Sequence, residues 1–132
     1  ARVHPHLATA PQADVTPALR EAVLRGQAIT PARYLDARCA MDAARQVFWS
    51  ELAAYDVLVF PAAPDVAPVG MKTGDPRFIV PFTALGGPMV SMPVAFDGAG
   101  LPLGLMLMSA PGLDARILEI SERLTASIEI PR

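Results

Sequence analysis

The chain has 132 residues, 52% of them hydrophobic, with 11 basic and 13 acidic side chains and a net charge of −2. This balance leaves no basic field to attract phosphates, so nucleic acid is not an expected partner, and the single cysteine, Cys39, excludes an internal disulfide framework. The apolar runs 89–96 and 101–110 are about half the roughly 20 residues a helix needs to cross a bilayer, so no membrane partner is expected either.

A mean hydropathy of +0.35 is high for a chain that can build only one core, and the excess is read as surface meant for another domain or subunit. The start, Ala1-Arg2-Val3-His4-Pro5-His6, carries no apolar signal-peptide core and no initiator Met. The expectation is a fragment or a trimmed or processed chain, located in the cytoplasm.

Residues 1–14 are polar, proline-containing and aperiodic, which predicts a mobile or extended tail. Thr16-Pro17 supplies an N-cap followed by proline at the first helical position, Leu19, Val23 and Leu24 a short apolar face, and Gly26 a stop. Thr30-Pro31 repeats the start signal for a helix reaching about Ala54. Tyr34, Met41, Phe48 and Tyr55 recur every seven residues along it, with Ala37 and Ala44 on the same side. The pattern predicts a long surface helix packed on a sheet.

Asp56-Val57-Leu58-Val59-Phe60 is a continuous apolar run of the kind buried on both faces of a parallel sheet. Residues 61–87 are rich in proline and glycine and lack periodicity, which predicts a loop longer than any connection needs. Met89–Phe96 and Leu101–Met108 read as a hairpin turned at Asp97-Gly98-Ala99-Gly100, with Pro93 and Pro102 confined to an edge or a strand end. Leu113, Ile117, Ile120, Leu124 and Ile128 make one face of a last helix stopped by Pro131. The order of elements indicates an α/β or α+β layer structure.

The residues that carry hydrolytic chemistry are poorly placed. His4 and His6 stand in the tail, where neither can be held rigidly against a nucleophile, and no third ligand supports a metal site. Cys39 has no identifiable base and reads as a small buried or half-buried thiol. Lys72, the only lysine, sits in a segment that looks solvated. None of Ser50, Ser91, Ser109, Ser121 and Ser127 is flanked by glycines that would expose an oxyanion hole. Asp114 is better explained by the helix dipole than as an acid/base partner of Glu119, and Gly86-Gly87-Pro88 is too short for a phosphate loop.

Tyr55-Asp56-Val57-Leu58-Val59-Phe60-Pro61-Ala62-Ala63-Pro64 resembles the segment Y-D-V-L-L-x-P-x-x-P of the amidase-signature family. Pro81-Phe82-Thr83 through Gly86-Gly87-Pro88, Ser91, Pro93 and Val94 is similar to that family's P-F-N-x-x-G-x-P-x-x-S-x-P-V. Asp97-Gly98 through Leu105 resembles its D-G-x-P-x-G-L-Q, and Ile29–Tyr34 and Asp114–Glu119 match further helical segments. Thr83 stands where Asn is common and Met106 where Gln is common.

The resemblance implies an α/β fold, the distal portion of a mixed β-sheet covered by helices, with residues 15–132 as a partial amidase C-terminal domain. It also implies a parent that hydrolyses amide carbon–nitrogen bonds with two serines and a lysine, and without a metal or organic cofactor. The Gly/Ser-rich segment that supplies those serines is absent here, so the resemblance carries no catalytic residue onto this chain.

Two functions are therefore open: the C-terminal part of an amidase, inactive alone, or a stand-alone non-catalytic interaction or ligand-binding module. The expected partner is the remainder of an amidase chain, or further copies of this one through exposed apolar surface. Residues 61–87 follow a strand at its carboxyl end, where ligand crevices form in open α/β sheets. Phe78, Phe82 and Thr83 are the candidate substrate-binding residues there, two rings for apolar contact and one hydroxyl for orientation. The alternative is that both rings anchor the loop to the core and Thr83 caps a turn.

Overall fold

Threonine followed by proline starts the first two helices, as the spacing predicts. In the computed structural model, which describes residues 4–12, 14–70 and 73–129, α1 spans Pro17–Gln27 and α2 spans Pro31–Glu51. The Thr16 hydroxyl accepts from the Leu19 N–H and the Thr30 hydroxyl from the Arg33 N–H, both at 3.3 Å. The chain divides into two units, Ala1–Asp42 and Ala43–Arg132.

In the first unit, Val15 and Val23 are buried, whereas Leu19 and Leu24 of the expected apolar face are exposed. Gly26 does not stop α1, which takes it in and ends one residue later. The segment expected to be extended is not so over Pro5–Ala8, which forms a 3₁₀ turn. Arg20 reaches back from α1 to donate to the carbonyls of Ala8, at 2.5 Å, and Ala10, satisfying two acceptors of a stretch that has no ladder of its own. Cys39 is exposed rather than buried, because every side chain from Pro31 to Ala44 is exposed.

The second unit is built on a three-stranded antiparallel sheet in the order β1-β3-β2, with β1 at Leu58–Pro61, β2 at Met89–Phe96 and β3 at Pro102–Met108. The run at 56–60 is therefore not a parallel strand buried on both faces. It pairs antiparallel with β3, Phe60 opposite Met106, and its outer edge is unpaired among the described residues. Phe60 turns inward and Val59 outward at 48% exposure, the alternation of a strand covered on one side. Two-sided burial belongs to β3, where Met106, Leu107 and Met108 are all buried.

The expected hairpin forms. The Asp97 carboxylate accepts from the N–H groups of Ala99 at 2.9 Å and Leu101 at 2.8 Å, and Gly100 takes the positive φ of 79° that the turn requires. Pro102 opens β3, and Pro93 lies on edge strand β2 where the register shifts before Ala95, both positions that need no ladder donor.

Each sheet face has its own cover. On one, Met92, Leu107 and Ile117 form a buried cluster under α4, Asp114–Ser127, with Leu124 and Ile128 packed beside it. On the other, Phe60, Met106 and Met108 are covered by Trp49 and by Phe78, Ile79, Phe82 and Leu85. The last two lie on α3, Val80–Leu85, a short helix where the sequence predicts only loop. Pro131, the expected stop of α4, lies outside the described residues.

Between α3 and β2 the chain passes through Gly86 and Gly87. A Cβ placed at Gly87 would lie 2.1 Å from the Ser109 carbonyl oxygen and 2.7 Å from the Trp49 ring, so no side chain fits. Gly87→Ala should lower stability by about 1–3 kcal/mol, the cost of overpacking. Gly98→Ala, with nothing within 4 Å of its Cβ, should stay within about 0.5 kcal/mol of the parent. Urea denaturation followed by circular dichroism measures both.

Candidate functional site

The long segment after β1 folds back over the sheet through aromatic packing. Phe82 stacks on Phe60 with ring centroids 4.0 Å apart and planes at 28°, and Phe48 of α2 approaches Phe82 at 6.4 Å. Phe48 also meets Trp49 edge-on at 4.9 Å. Offset stacks of this kind contribute about 0.5–1.5 kcal/mol beyond the area they bury. The structure thus brings two of the three candidate residues, Phe78 and Phe82, into one cluster around Phe60, Met106 and Met108, each still partly open to solvent. Thr83 does not join them. Its side chain is exposed, and its backbone N–H donates to Ile79 within the helical turn.

The end of α3 is held from α2. Arg45 Nε donates to the Ala84 carbonyl at 2.8 Å, and Trp49 Nε1 donates to the Leu85 carbonyl at 3.1 Å. The last carbonyls of a helix have no partner within it, and a cation there also faces the negative end of the dipole. Gly86, at φ 80°, closes the helix in the left-handed conformation.

Sequence reasoning missed Arg45 and Trp49. Their spacing of four places both on one face of α2, and Trp49 is the only tryptophan of the chain, but no local pattern says which backbone they meet 36 or 39 residues later.

Further along the segment, Arg77 folds onto Asp75 through its backbone N–H at 2.9 Å and its Nε at 2.7 Å. The guanidinium, and then the backbone donor, hold the Asp75 carboxyl below its usual value. Both side chains are exposed, so the pair shapes the loop more than it stabilises the fold.

The five serines have no hydrolytic setting among the described residues. Ser50, Ser121 and Ser127 each donate to a carbonyl of their own helix at 2.8 Å. Ser91 is exposed on β2. Ser109 is buried, its hydroxyl has no partner among the described residues, and its backbone N–H donates to Pro88 at 3.2 Å. Lys72 lies outside the described residues. His4 and His6 are exposed, their rings 5.9 Å apart. Glu119 is held by Arg116 and Arg123, and Asp114 lies in the first turn of α4.

The amino-acid sequence of a fatty acid amide hydrolase from Medicago truncatula is 33% identical over 108 residues, covering 72% of this chain and 18% of that protein. A glutamyl-tRNA(Gln) amidotransferase chain from Rhizorhabdus wittichii is 40% identical over 87 residues, covering 60% of this chain and 16% of that one. The crystal structure of an amidase superposes with a TM-score of 0.84 at 29% identity, covering 97% of this chain and 32% of that one. The chain therefore spans about a third of the solved amidase and less than a fifth of either curated relative. The Amidase family model matches residues 4–118, which takes in the Asp56–Pro64 strand, the clamped α3 and the hairpin together, and on that match the chain belongs to the amidase family.

Proposed function

We propose that this chain is the C-terminal portion of an amidase. The intact enzyme hydrolyses an amide carbon–nitrogen bond, and this portion forms a wall of its pocket without supplying the nucleophile or the base. The observation that carries the reading is the mismatch of lengths: 97% of this chain superposes on an amidase of which it makes up only 32%. The exposed apolar side chains agree with it. Leu35, Val47, Val59 and Val80 are each about half exposed or more, more than an isolated domain gains from leaving in water.

Phe78, Phe82 and Thr83 are the wall residues of this proposal. The free edges of the Phe78 and Phe82 rings supply apolar contact, and the exposed Thr83 hydroxyl orients a polar group. The partner is the remainder of an amidase chain, or in its absence a further copy of this one. A cytoplasmic location belongs to the same reading and is supported by the exposed free thiol of Cys39, which a reducing compartment preserves.

Purified residues 1–132 should not hydrolyse aryl or alkyl amides above background, and a fluorophosphonate should label none of the five serines. A serine without a base to take its proton is a weak nucleophile. Stoichiometric labelling of any serine, read by mass spectrometry, would overturn the inactive-portion reading. Binding of an amide ligand by the chain alone, with no hydrolysis by the longer chain that contains it, would instead favour a non-catalytic module.

The exposed apolar faces also predict self-association. Light scattering at high concentration should give a mass at or above twice 14.0 kDa, together with binding of an apolar dye. A clean monomer that binds no dye would count against uncovered partner surface.

A further inference from the structure

We propose that Arg45 and Trp49 are positioning residues of the pocket wall: from α2 they clamp the carboxyl end of α3 and so set where Phe82 and Thr83 face. The proposal rests on the amidase reading for the word pocket, and on the geometry alone for the clamp.

α3 has six residues, far fewer than the roughly 12 at which an isolated helix becomes even marginal in water. It persists only if tertiary contacts hold it. Stacking of Phe82 on Phe60 holds one side. The carboxyl end needs donors for its last carbonyls, and Pro88, shortly beyond it, has no N–H to give.

Arg45 and Trp49 supply those donors one helical turn apart, each to a successive carbonyl, Ala84 and Leu85. Backbone follows under them. A Cβ at Gly86 would meet the Arg45 guanidinium at 3.8 Å, and one at Gly87 would overlap the Trp49 ring. The two side chains therefore lie flat on the two glycines and bond the two carbonyls before them. Fixing both carbonyls fixes the rotation of α3 about its axis. That rotation decides that Phe82 faces Phe60 while Thr83, one residue on, faces outward. Without the clamp, the apolar stack still holds α3 near the sheet but no longer in one orientation.

The test has two arms. In the 132-residue chain, amide hydrogen exchange is followed at Thr83, whose N–H is bonded within the α3 turn, and at Leu107 in the central strand. Arg45→Ala and Trp49→Phe should each speed exchange at Thr83 about tenfold, equal to about 1.4 kcal/mol, and leave Leu107 unchanged. Arg45→Lys, which keeps a charged donor, should recover part of the protection. Equal acceleration at both amides, or none at Thr83, overturns the clamp whether or not the family reading stands.

In the longer amidase chain that contains this segment, Arg45→Ala should change kcat/KM unequally for amides of large and small acyl groups, with Arg45→Lys closer to the parent ratio. An unchanged ratio alongside the exchange effect would overturn the positioning role while leaving the clamp. Absence of amidase activity in the unsubstituted longer chain would fail the amidase reading itself, and with it the pocket role.

Discussion

Burial of β3 on both faces is the constraint on which the second unit depends. Leu107 and Met108 are adjacent and both fully buried. Because successive strand residues point to opposite faces, each demands its own cover. Leu107 is met by Ile117 of α4, Met108 by the cluster of Phe60 and Met106 with the aromatic side chains above it. A side chain of this size stabilises by about 1.5–3 kcal/mol when removed from water, so both layers assemble around this one strand. β1 and β2 flank it as edges, and their prolines at 61 and 93 are tolerable there because an edge strand leaves half its donors unused.

The layer of Phe48, Trp49 and α3 is the more delicate of the two. It is held by rings rather than by a long helix, and its polar contacts come from two side chains on another element. This dependence places the segment after β1 in one conformation despite its proline and glycine content. It also gives Gly87 its strict size limit, since the Trp49 ring and the Ser109 carbonyl close on it from both sides. Exposed apolar side chains on α2 and β1 mark faces that this chain does not cover itself, in keeping with its share of the length of its relatives.

Much of the fold was legible before any coordinates. Thr16-Pro17 and Thr30-Pro31 announce their helices because a cap and a fixed φ are local properties. The hairpin follows from Asp97 and Gly100, whose roles are settled within five residues. The five motif segments gave the family, which the match over residues 4–118 bears out. Misreadings arose where a local signal stood in for a distant partner. The run at 56–60 looked like a doubly buried parallel strand, yet the strand so buried is β3, interrupted by a glycine that hides its character.

The sequence by itself determined the starts of the helices, the hairpin turn, the apolar face of α4 and the absence of the family's Gly/Ser-rich catalytic segment, since each is written within a few consecutive residues. Only the tertiary structure decided that β1 is an antiparallel edge, that six residues of an apparent loop are helical, and that Arg45 and Trp49 hold them. Those outcomes depend on pairings across 36 to 60 residues of chain. Pairing at that distance is chosen by shape and by unsatisfied carbonyls, neither of which leaves a periodic mark on the sequence.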